Sequence, residues 1–208
     1  MDRAGQMPDD MAAAREYWAS RGRTPFYETS HHWRQFIADR VAAYRPETVL
    51  EFGCNAGRNL VEVRDRWPGA RLLGVDVNAE AVQFGIDSYG LDLHVAGEEY
   101  LAGLDDASVD VVFTVSVLDH LPDVDRVFVE LLRVSRQALI LLEPYTGRVD
   151  RTDTDVEGSA LTCIPFTYTW DYMDLADRLG GGRRWSWTPY PLSSENMGPH
   201  YWLIEGTR

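Results

Sequence analysis

The chain has few of the features that mark metal-binding, membrane-spanning or secreted proteins. Its two cysteines, Cys54 and Cys163, lack the spacing of metal ligands, so we expect no metal site and a reduced protein. No apolar run approaches the ~18 residues that a transmembrane helix requires, so we expect no membrane partner. Residues 1–8 contain no apolar signal-peptide core. These absences together predict a cytoplasmic protein.

Basic residues are also scarce. The 208 residues include 20 Lys+Arg against 33 Asp+Glu, which gives a formal net charge of −13. Binding to a nucleic-acid backbone requires a basic face, and the short pair of Arg183 and Arg184 does not provide one. We therefore expect no nucleic-acid partner, and an acidic balance of this kind mainly favours solubility.

The remaining composition is that of an ordinary globular domain. Hydrophobic residues make up 45% of the chain and charged residues 25%. The length lies within the range of one α/β domain. Such a chain buries roughly 70% of its unfolded surface, which is enough for a core without disulfides or metals.

The order of apolar and amphipathic segments predicts an α/β fold. Apolar and β-branched runs predict strands at 48–52, 71–75, 91–95, 109–115 and 138–142. Helical periodicity between these runs predicts helices at 57–67, 78–87 and 123–135. This alternation is typical of a doubly wound parallel sheet.

The two ends of the chain depart from that alternation. Helices predicted at 8–22 and 28–44 precede the first strand and form an N-terminal helical cap. A long polar loop at 144–169, a helix at 170–179 and strands at 183–190 and 201–204 predict an antiparallel C-terminal hairpin. We therefore predict one α/β domain with a Rossmann-like, seven-stranded, mostly parallel sheet. Its parts are a cap at 1–46, a ligand-binding core at 47–143, and an insert with the hairpin at 144–208.

A glycine turn follows the first predicted strand. Gly53 and Gly57 flank Cys54, Asn55 and Ala56 just before a helix begins, and such a turn cradles a nucleotide against the helix N-terminus. The dinucleotide fingerprint requires glycine where Asn55 and Arg58 stand, which disfavours a nicotinamide-dependent oxidoreductase. Asparagine tolerates a positive φ better than other non-glycine residues, so the turn can still form. For Cys54, we expect a small space-filling residue rather than a nucleophile.

The pattern Glu51-x-Gly53-x-Asn55-x-Gly57 resembles motif I of the class I S-adenosylmethionine-dependent methyltransferases of small-molecule type, which usually have glycine where Asn55 stands. Asp76, at the end of the second strand, matches the acid that holds the cofactor ribose in that family. The segment 115–123 is similar to the one that follows the fourth strand in the family. The resemblance implies S-adenosyl-L-methionine as the cofactor, with these binding residues: Glu51, Gly53, Asn55, Gly57, Asp76, Val77, Glu98 and Ser116.

The candidate catalytic residues come from the ends of the fourth and fifth strands. His120 is either a general base or a histidine that hydrogen-bonds the backbone where a helix starts. Glu143, beside Tyr145, either orients a substrate amine or hydroxyl or caps the strand end. Both alternatives stay open for His120 and for Glu143. The candidate catalytic residues are His120, Glu143 and Tyr145.

Aromatic residues dominate the candidates for substrate binding. The cap contributes Tyr27 and His31, and the region after the long loop contributes Tyr168 and Trp170, in a part of the chain whose other aromatics include Phe166. Tyr17 and Trp18 are candidates for a lid because they precede Gly22 and Pro25. Arg34 either meets the cofactor carboxylate or is solvated, and the sequence favours the second.

These features favour one function over two rivals. We expect one methyltransferase domain over 1–208, a monomer or homodimer, that transfers a methyl group from S-adenosylmethionine to oxygen or nitrogen of a small-molecule metabolite, as in secondary metabolism. Asn55 and the lack of an unambiguous base motivate the alternative, a regulatory or partner protein that binds S-adenosylmethionine without transferase activity. The acceptor itself has no signature in the sequence.

Overall fold

A computed structural model describes residues 8–29, 31–145, 150–151, 167–180, 185–192 and 201–208. The helices are α1 (Pro8–Ser20), α2 (Pro25–Glu28), α3 (His32–Ala43), α4 (Arg58–Arg66), α5 (Ala79–Tyr89), α6 (Glu98–Ala102), α7 (Val124–Val134) and α8 (Tyr172–Leu179). The strands are β1 (Thr48–Phe52), β2 (Arg71–Asp76), β3 (Asp92–Val95), β4 (Val109–Val115), β5 (Ser135–Pro144), β6 (Asp150–Arg151), β7 (Tyr168–Thr169), β8 (Ser186–Pro191) and β9 (Tyr201–Thr207). Cys163, Phe166, Arg183, Arg184, segment 1–7 and most of the 144–169 loop lie outside the described residues.

Seven strands form one sheet in the order β3-β2-β1-β4-β5-β9-β8. Strands β1 to β5 pair in parallel, and β9 pairs antiparallel with both β5 and β8. This order confirms the predicted doubly wound sheet with an antiparallel C-terminal hairpin. The short strands β6 and β7 form a separate pair within the segment that was predicted as a loop.

Alternating side chains on the central strands build a core on each face of the sheet, as strand geometry requires. In β4, Val112 packs on the face covered by α7 and α8, whereas Val111 and Phe113 pack on the face covered by α3 and α4. Strand β5 divides in the same way, with Leu139 and Leu141 on the first face and Ile140 on the second. Because both faces are covered, these strands are apolar throughout.

The second predicted helix, 28–44, is wrong at its start. The chain forms the short helix α2, becomes extended at Thr29 and His31, and begins α3 at His32. The hydroxyl of Thr29 donates to the Phe26 carbonyl, and a His31 ring nitrogen contacts the same oxygen. Such side-chain bonds compete with a continuous helix, which explains the break. The predicted turn segment 97–104 likewise contains α6.

The N-terminal helices pack over the edge of the sheet where β1, β2 and β4 end. Arg15 of α1 donates two hydrogen bonds to the Glu99 carboxylate, at 3.0 and 2.7 Å, and these bonds lower the pKa of Glu99 to about 2. The Asn78 amide donates to the Arg21 carbonyl. The ion pair is exposed and therefore contributes little energy, but together these contacts define where the cap sits. In the described part of the chain, no helix is long and apolar enough to cross a membrane.

Asp110 connects three elements at the opposite edge of the sheet. One carboxylate oxygen accepts hydrogen bonds from the backbone N–H groups of Glu47 and Thr48, at 2.8 and 3.1 Å. The other accepts from the side chains of Arg136 and Gln137. Burial acts to raise the pKa of Asp110, but these donors outweigh it and lower the pKa below its usual value. Ionised Asp110 therefore stabilises the start of β1, β4 and β5.

We predict that Asp110→Asn lowers the free energy of unfolding by about 1–3 kcal/mol at pH 7, because the amide cannot accept from four donors. The pKa is lowered in the folded state, so the contribution is present above the unfolded pKa and is lost as the pH falls through the folded value. Urea unfolding at pH 7 and near pH 3 measures this. The exposed Asp65→Asn is the control. An equal loss of stability in both variants, or at both pH values, would contradict the role of Asp110.

Candidate functional site

A cavity of about 920 Å³ lies at the carboxyl edge of the parallel strands, beneath the N-terminal helices. The strand ends that line it are residues 52–55, 75–78, 96–98 and 115–117. The cap contributes Trp18, Tyr27 and Arg34, and β9 contributes Tyr201. Doubly wound sheets bind their ligands at this edge, so the cavity is the candidate site.

The glycine turn after β1 has the backbone that the sequence predicts. Gly53, Asn55 and Gly57 have φ values of 75°, 50° and 73°, all in the left-handed region. Asparagine thus adopts the conformation that glycine usually supplies, at a modest cost. A Cβ atom on Gly53 would lie 2.3 Å from Val117 Cγ2, so Gly53 also permits the close approach of the segment after β4. Cys54, between them, is buried, and burial raises the pKa of its thiol, which suits a space-filling role.

Asp76 holds the turn in place from the neighbouring strand. Its Oδ2 accepts a hydrogen bond from the Asn55 N–H at 2.7 Å, and its Oδ1 accepts one from the Asn78 N–H at 2.8 Å. Asn78 in turn caps α5 by accepting from the Ala81 N–H at 3.0 Å. Burial raises the pKa of Asp76, while the backbone donors oppose that shift. The half-buried carboxylate remains on the cavity wall, beside Val77.

A buried polar chain connects the acid of β1 to the cap. Asn59 donates to Glu51 and accepts from Arg34, and the exposed fractions of Glu51 and Arg34 are only 1% and 2%. Arg34 also donates to the carbonyls of Thr29 and Tyr27, each at 3.0 Å. Burial raises the pKa of Glu51 and lowers that of Arg34. The expectation of a solvated Arg34 is therefore wrong, because the cap buries it on the cavity wall.

Ser116, His120 and Tyr201 lie together at another part of the cavity wall. Ser116 Oγ is 2.8 Å from Tyr201 Oη, and Ser116 has a φ of 52°. His120 closes a 3-10 turn, Leu118–His120, and its ring packs on Trp18 with 4.5 Å between centroids. The aromatic cap and the polar strand ends thus meet at this point.

Glu143 lies behind this part of the wall, with no exposed surface. Its carboxylate accepts hydrogen bonds from the Thr114 hydroxyl at 2.7 Å and from the Val117 N–H at 3.1 Å. Asp119 lies next to Glu143, and its exposed fraction is 2%. Burial raises the pKa of both carboxyl groups, and the charge of Asp119 raises that of Glu143 further.

The other candidates from the sequence take different places. Glu98 lies on the cavity wall, whereas Gly57 packs against Leu91 behind the turn. The His31 ring stacks on Trp33, and Tyr145 packs against Tyr172 and Trp202. Trp170 donates its indole N–H to the Leu118 carbonyl at 2.9 Å and stacks on Tyr168, so this pair supports the turn that carries His120.

Residues 50–141 match the sequence family described as "Methyltransferase domain". The matched range spans the glycine turn, Asp76 and the segment from Ser116 to His120. The match covers less than half of the chain, so over this range the chain is similar to methyltransferase domains. The match agrees with the motif I resemblance and supports S-adenosylmethionine as the cofactor.

One curated relative and two solved structures illustrate the similarity. The chain is 32% identical to trans-aconitate 2-methyltransferase of Azoarcus sp. (strain BH72) over 102 residues, which are 49% of this chain and 40% of that protein. Burkholderia thailandensis 1,6-didemethyltoxoflavin-N1-methyltransferase, solved with 1,6-didemethyltoxoflavin and S-adenosylhomocysteine, matches with a TM-score of 0.60 at 16% identity, over 85% of this chain and 77% of that chain. The [4+2]-cyclase SpnF matches with a TM-score of 0.60 at 15% identity, over 84% and 81% of the two chains. The two structures share the fold.

Sequence reasoning missed several residues that the methyltransferase fold brings to the site. Tyr201 is distant in sequence, and reaches Ser116 because β9 pairs with β5 so that Tyr201 lies opposite Pro144. Asn59 and Asp119 carry no pattern of their own. The one signal in the sequence that could have pointed to Asp119 is its position directly before the candidate His120.

We predict that Gly53→Ala weakens the binding of S-adenosylhomocysteine by about tenfold or more. The new methyl group must displace Val117 and hold a left-handed backbone, and each 1.4 kcal/mol of strain is a factor of ten in affinity. Gly90→Ala is the matched control, because Gly90 has a similar φ of 63° and nothing within 4 Å of the added Cβ. Calorimetric titration compares the two variants. Equal affinities would show that the close approach at Gly53 does not matter for the site.

Proposed function

We propose that this protein transfers a methyl group from S-adenosylmethionine to an oxygen or nitrogen atom of a small-molecule metabolite. The observation that carries the proposal is the covered cavity, which combines a glycine turn, strand-end carboxylates and a separate cluster of Ser116, His120 and Tyr201. Its volume of about 920 Å³ is at the upper end of the ~300–1,000 Å³ typical of small-molecule sites. A cofactor and a small acceptor can therefore share it.

The residues on the cavity wall suit the cofactor. The left-handed turn at Gly53 brings backbone close to the cavity, and Asp76 keeps acceptor capacity for two neighbouring ribose hydroxyls. Val77 offers an apolar surface beside it for the adenine, and Glu98 offers an acceptor for its amino group. Arg34 is a buried cation suited to the carboxylate of the methionine part. When bound, the cofactor supplies an electrophilic methyl group on a sulfonium.

The cluster around His120 suits the methyl acceptor. Ser116 and Tyr201 present hydroxyl groups that can position an acceptor atom, and positioning accounts for most of the rate of an in-line displacement. His120 is on the same wall, so it can accept a proton from the acceptor directly. Trp18 packs on the His120 ring and helps to exclude water from this end of the cavity.

Several observations support a small acceptor over a macromolecule. Residues of α1 and of the segment up to Arg34 line the cavity opposite the strand ends, which suits a small acceptor. The net charge of −13 opposes a nucleic-acid backbone. The curated relative and one structural neighbour are named for small acceptors, trans-aconitate and 1,6-didemethyltoxoflavin.

A second candidate function is that of a protein which binds the cofactor without methyl transfer. The [4+2]-cyclase SpnF shares the fold, so the fold does not by itself specify transfer. The departure at Asn55 from the usual glycine also favours this candidate. The two functions differ in whether S-adenosylhomocysteine accumulates as a product.

We predict that the protein, incubated with methyl-labelled S-adenosylmethionine and a broad extract of small metabolites, labels a low-molecular-weight product. His120→Ala should lower this turnover about 100-fold, the effect expected when a general base is lost, and leave cofactor affinity little changed. His94→Ala, at a half-buried histidine of β3 that does not line the cavity, is the matched control. Scintillation counting of the small-molecule fraction measures the product.

Two outcomes would contradict the proposal. Cofactor binding without labelled product or S-adenosylhomocysteine from any extract would favour the non-transferring alternative. Labelling of RNA or protein in place of small molecules would overturn the acceptor class. Full turnover by His120→Ala would leave the transfer intact but remove His120 as the base.

A further inference from the structure

Asp119 and Glu143 form a buried carboxyl pair directly behind the acceptor end of the cavity. The backbone N–H of Asp119 donates to Glu143 Oε2 at 3.4 Å, and the exposed fractions of the two residues are 2% and 0%. Within the described ranges, no arginine forms an ion pair with either group, and the nearest basic atom is His120 Nε2, 3.7 Å from Asp119 Oδ1. Two adjacent buried carboxylates cannot both stay ionised at low cost, so the pair shares one proton.

The hydrogen bonds around the pair keep one negative charge on it. Glu143 accepts from the Thr114 hydroxyl at 2.7 Å and from the backbone N–H groups of Val117 and Asp119, at 3.1 and 3.4 Å. Such donors favour the ionised form of a carboxyl group. Asp119 accepts from the Ser116 hydroxyl at 3.3 Å. The pair therefore carries one charge and one proton, with room to accept a second proton.

A short chain of hydroxyl groups leads from the cavity to this pair. Tyr201 and Ser116 both line the cavity, and their oxygen atoms are 2.8 Å apart. Ser116 Oγ is in turn 3.3 and 3.4 Å from the two Asp119 carboxyl oxygens. A proton that leaves an acceptor beside Tyr201 thus has a path of hydroxyl groups to Asp119.

Tyr172, the first residue of α8, is a further titratable group that the charges of the pair affect. Its side chain is fully buried, and its hydroxyl lacks a hydrogen-bond partner among the described residues. Burial, and then the charges of Glu143 and Asp119, raise the pKa of Tyr172 well above its usual value. A raised pKa keeps Tyr172 protonated near neutral pH, so Tyr172 does not compete with the carboxyl pair for a proton.

We propose that the Asp119–Glu143 pair is the final holder of the proton that a hydroxyl or amine acceptor loses when it is methylated. His120, whose Nε2 is 3.7 Å from Asp119 Oδ1, accepts the proton from the acceptor, and the pair receives it over that contact or through Ser116 and Tyr201. This rests on the proposed function. The acceptor lone pair forms the bond to the methyl carbon, the carbon–sulfur bond breaks with its electrons on sulfur, and the acceptor proton passes to the pair, which returns it to solvent after release. The negative pair also disfavours an anionic carboxylate as acceptor, so the acceptor class is neutral hydroxyls and amines.

The loss of the methyl group from the cofactor and the gain of a proton by the Asp119–Glu143 pair are coupled through their charges. The sulfonium of S-adenosylmethionine is a permanent cation, and it favours the ionised pair, whereas the sulfur of S-adenosylhomocysteine is neutral. The proton affinity of the pair therefore rises when the methyl group leaves. Other titratable groups near the pair are His120 on the same turn, Tyr172 from α8, Tyr201 from β9 and Tyr27 from α2.

Calorimetric titrations of the whole protein with S-adenosylmethionine and with S-adenosylhomocysteine test the coupling. Each is run between about pH 6 and 9 in two buffers of different ionisation heat, which yields the protons released per ligand bound. We expect S-adenosylmethionine to release a few tenths of a proton more than S-adenosylhomocysteine. By thermodynamic linkage, this difference equals the proton that the protein takes up when the bound cofactor loses its methyl group.

Variants assign the difference to the pair. Asp119→Asn should abolish it while both ligands still bind. Thr114→Val removes a hydrogen-bond donor to Glu143. The pH at which the difference in proton release is largest should therefore rise by up to about one unit. Thr188→Val, on the exposed side of β8, makes the same substitution away from the cavity and should leave the peak in place.

Four results would overturn the proposal. If the two ligands release equal numbers of protons from the unmodified protein, the cofactor and the carboxyl pair are not coupled. Because both ligands still bind in that case, the proposed function is not contradicted. If the difference in proton release persists in Asp119→Asn, the proton is taken up by another group, and His120 is the first candidate. If the extract screen yields a methyl ester, identified by base hydrolysis, the acceptor class is wrong. Failure of both ligands to bind overturns the proposed function together with this inference.

Discussion

The hydrogen bonds that Asp76 accepts from Asn55 and Asn78 are the constraint on which the site depends. They connect the end of β2 to the turn after β1 and to the start of α5. Two further bonds, from the Gly53 and Cys54 N–H groups to the Val75 carbonyl, complete the connection. The turn is thus held in its left-handed form by the protein itself, and the ligand does not have to impose it. Preorganisation of this kind reduces the cost of binding.

The same edge of the sheet concentrates acidic residues that are buried or half-buried. Glu51, Asp76, Asp119 and Glu143 all lie at or just beyond strand ends, and burial raises the pKa of each. Backbone and side-chain donors offset part of that cost. A cation in the cavity offsets more, whereas the pyrophosphate of a dinucleotide would add to it. The electrostatics of this edge therefore suit a sulfonium cofactor for the same physical reason that they oppose a nicotinamide dinucleotide.

Local signals account for the parts of the fold that the sequence predicts well. Strand β1 has both predicted bounds, because an apolar run lies between Pro46 and the glycine turn. The break between α2 and α3 was not predicted, because it depends on where Thr29 and His31 place their side chains. Strand β5 extends beyond the predicted 138–142, since β4 and β9 pair with it on both sides. Pairing partners distant in sequence decide such strand ends, and periodicity does not reveal them.

The sequence by itself determined the class of sheet and the glycine turn, and its resemblance to a known motif implied the type of cofactor. The sheet and the turn follow from residue types within a short window, namely β-branched runs and residues that accept a positive φ. Only the tertiary structure decided that Arg34 is buried, that Tyr201 reaches Ser116 and that Asp119 and Glu143 share one environment. Those facts depend on the packing of the cap and on the pairing of β9 with β5, which bring together residues that are far apart in the chain. Burial and proximity then set the charge state of each group, and neither can be read from residue type alone.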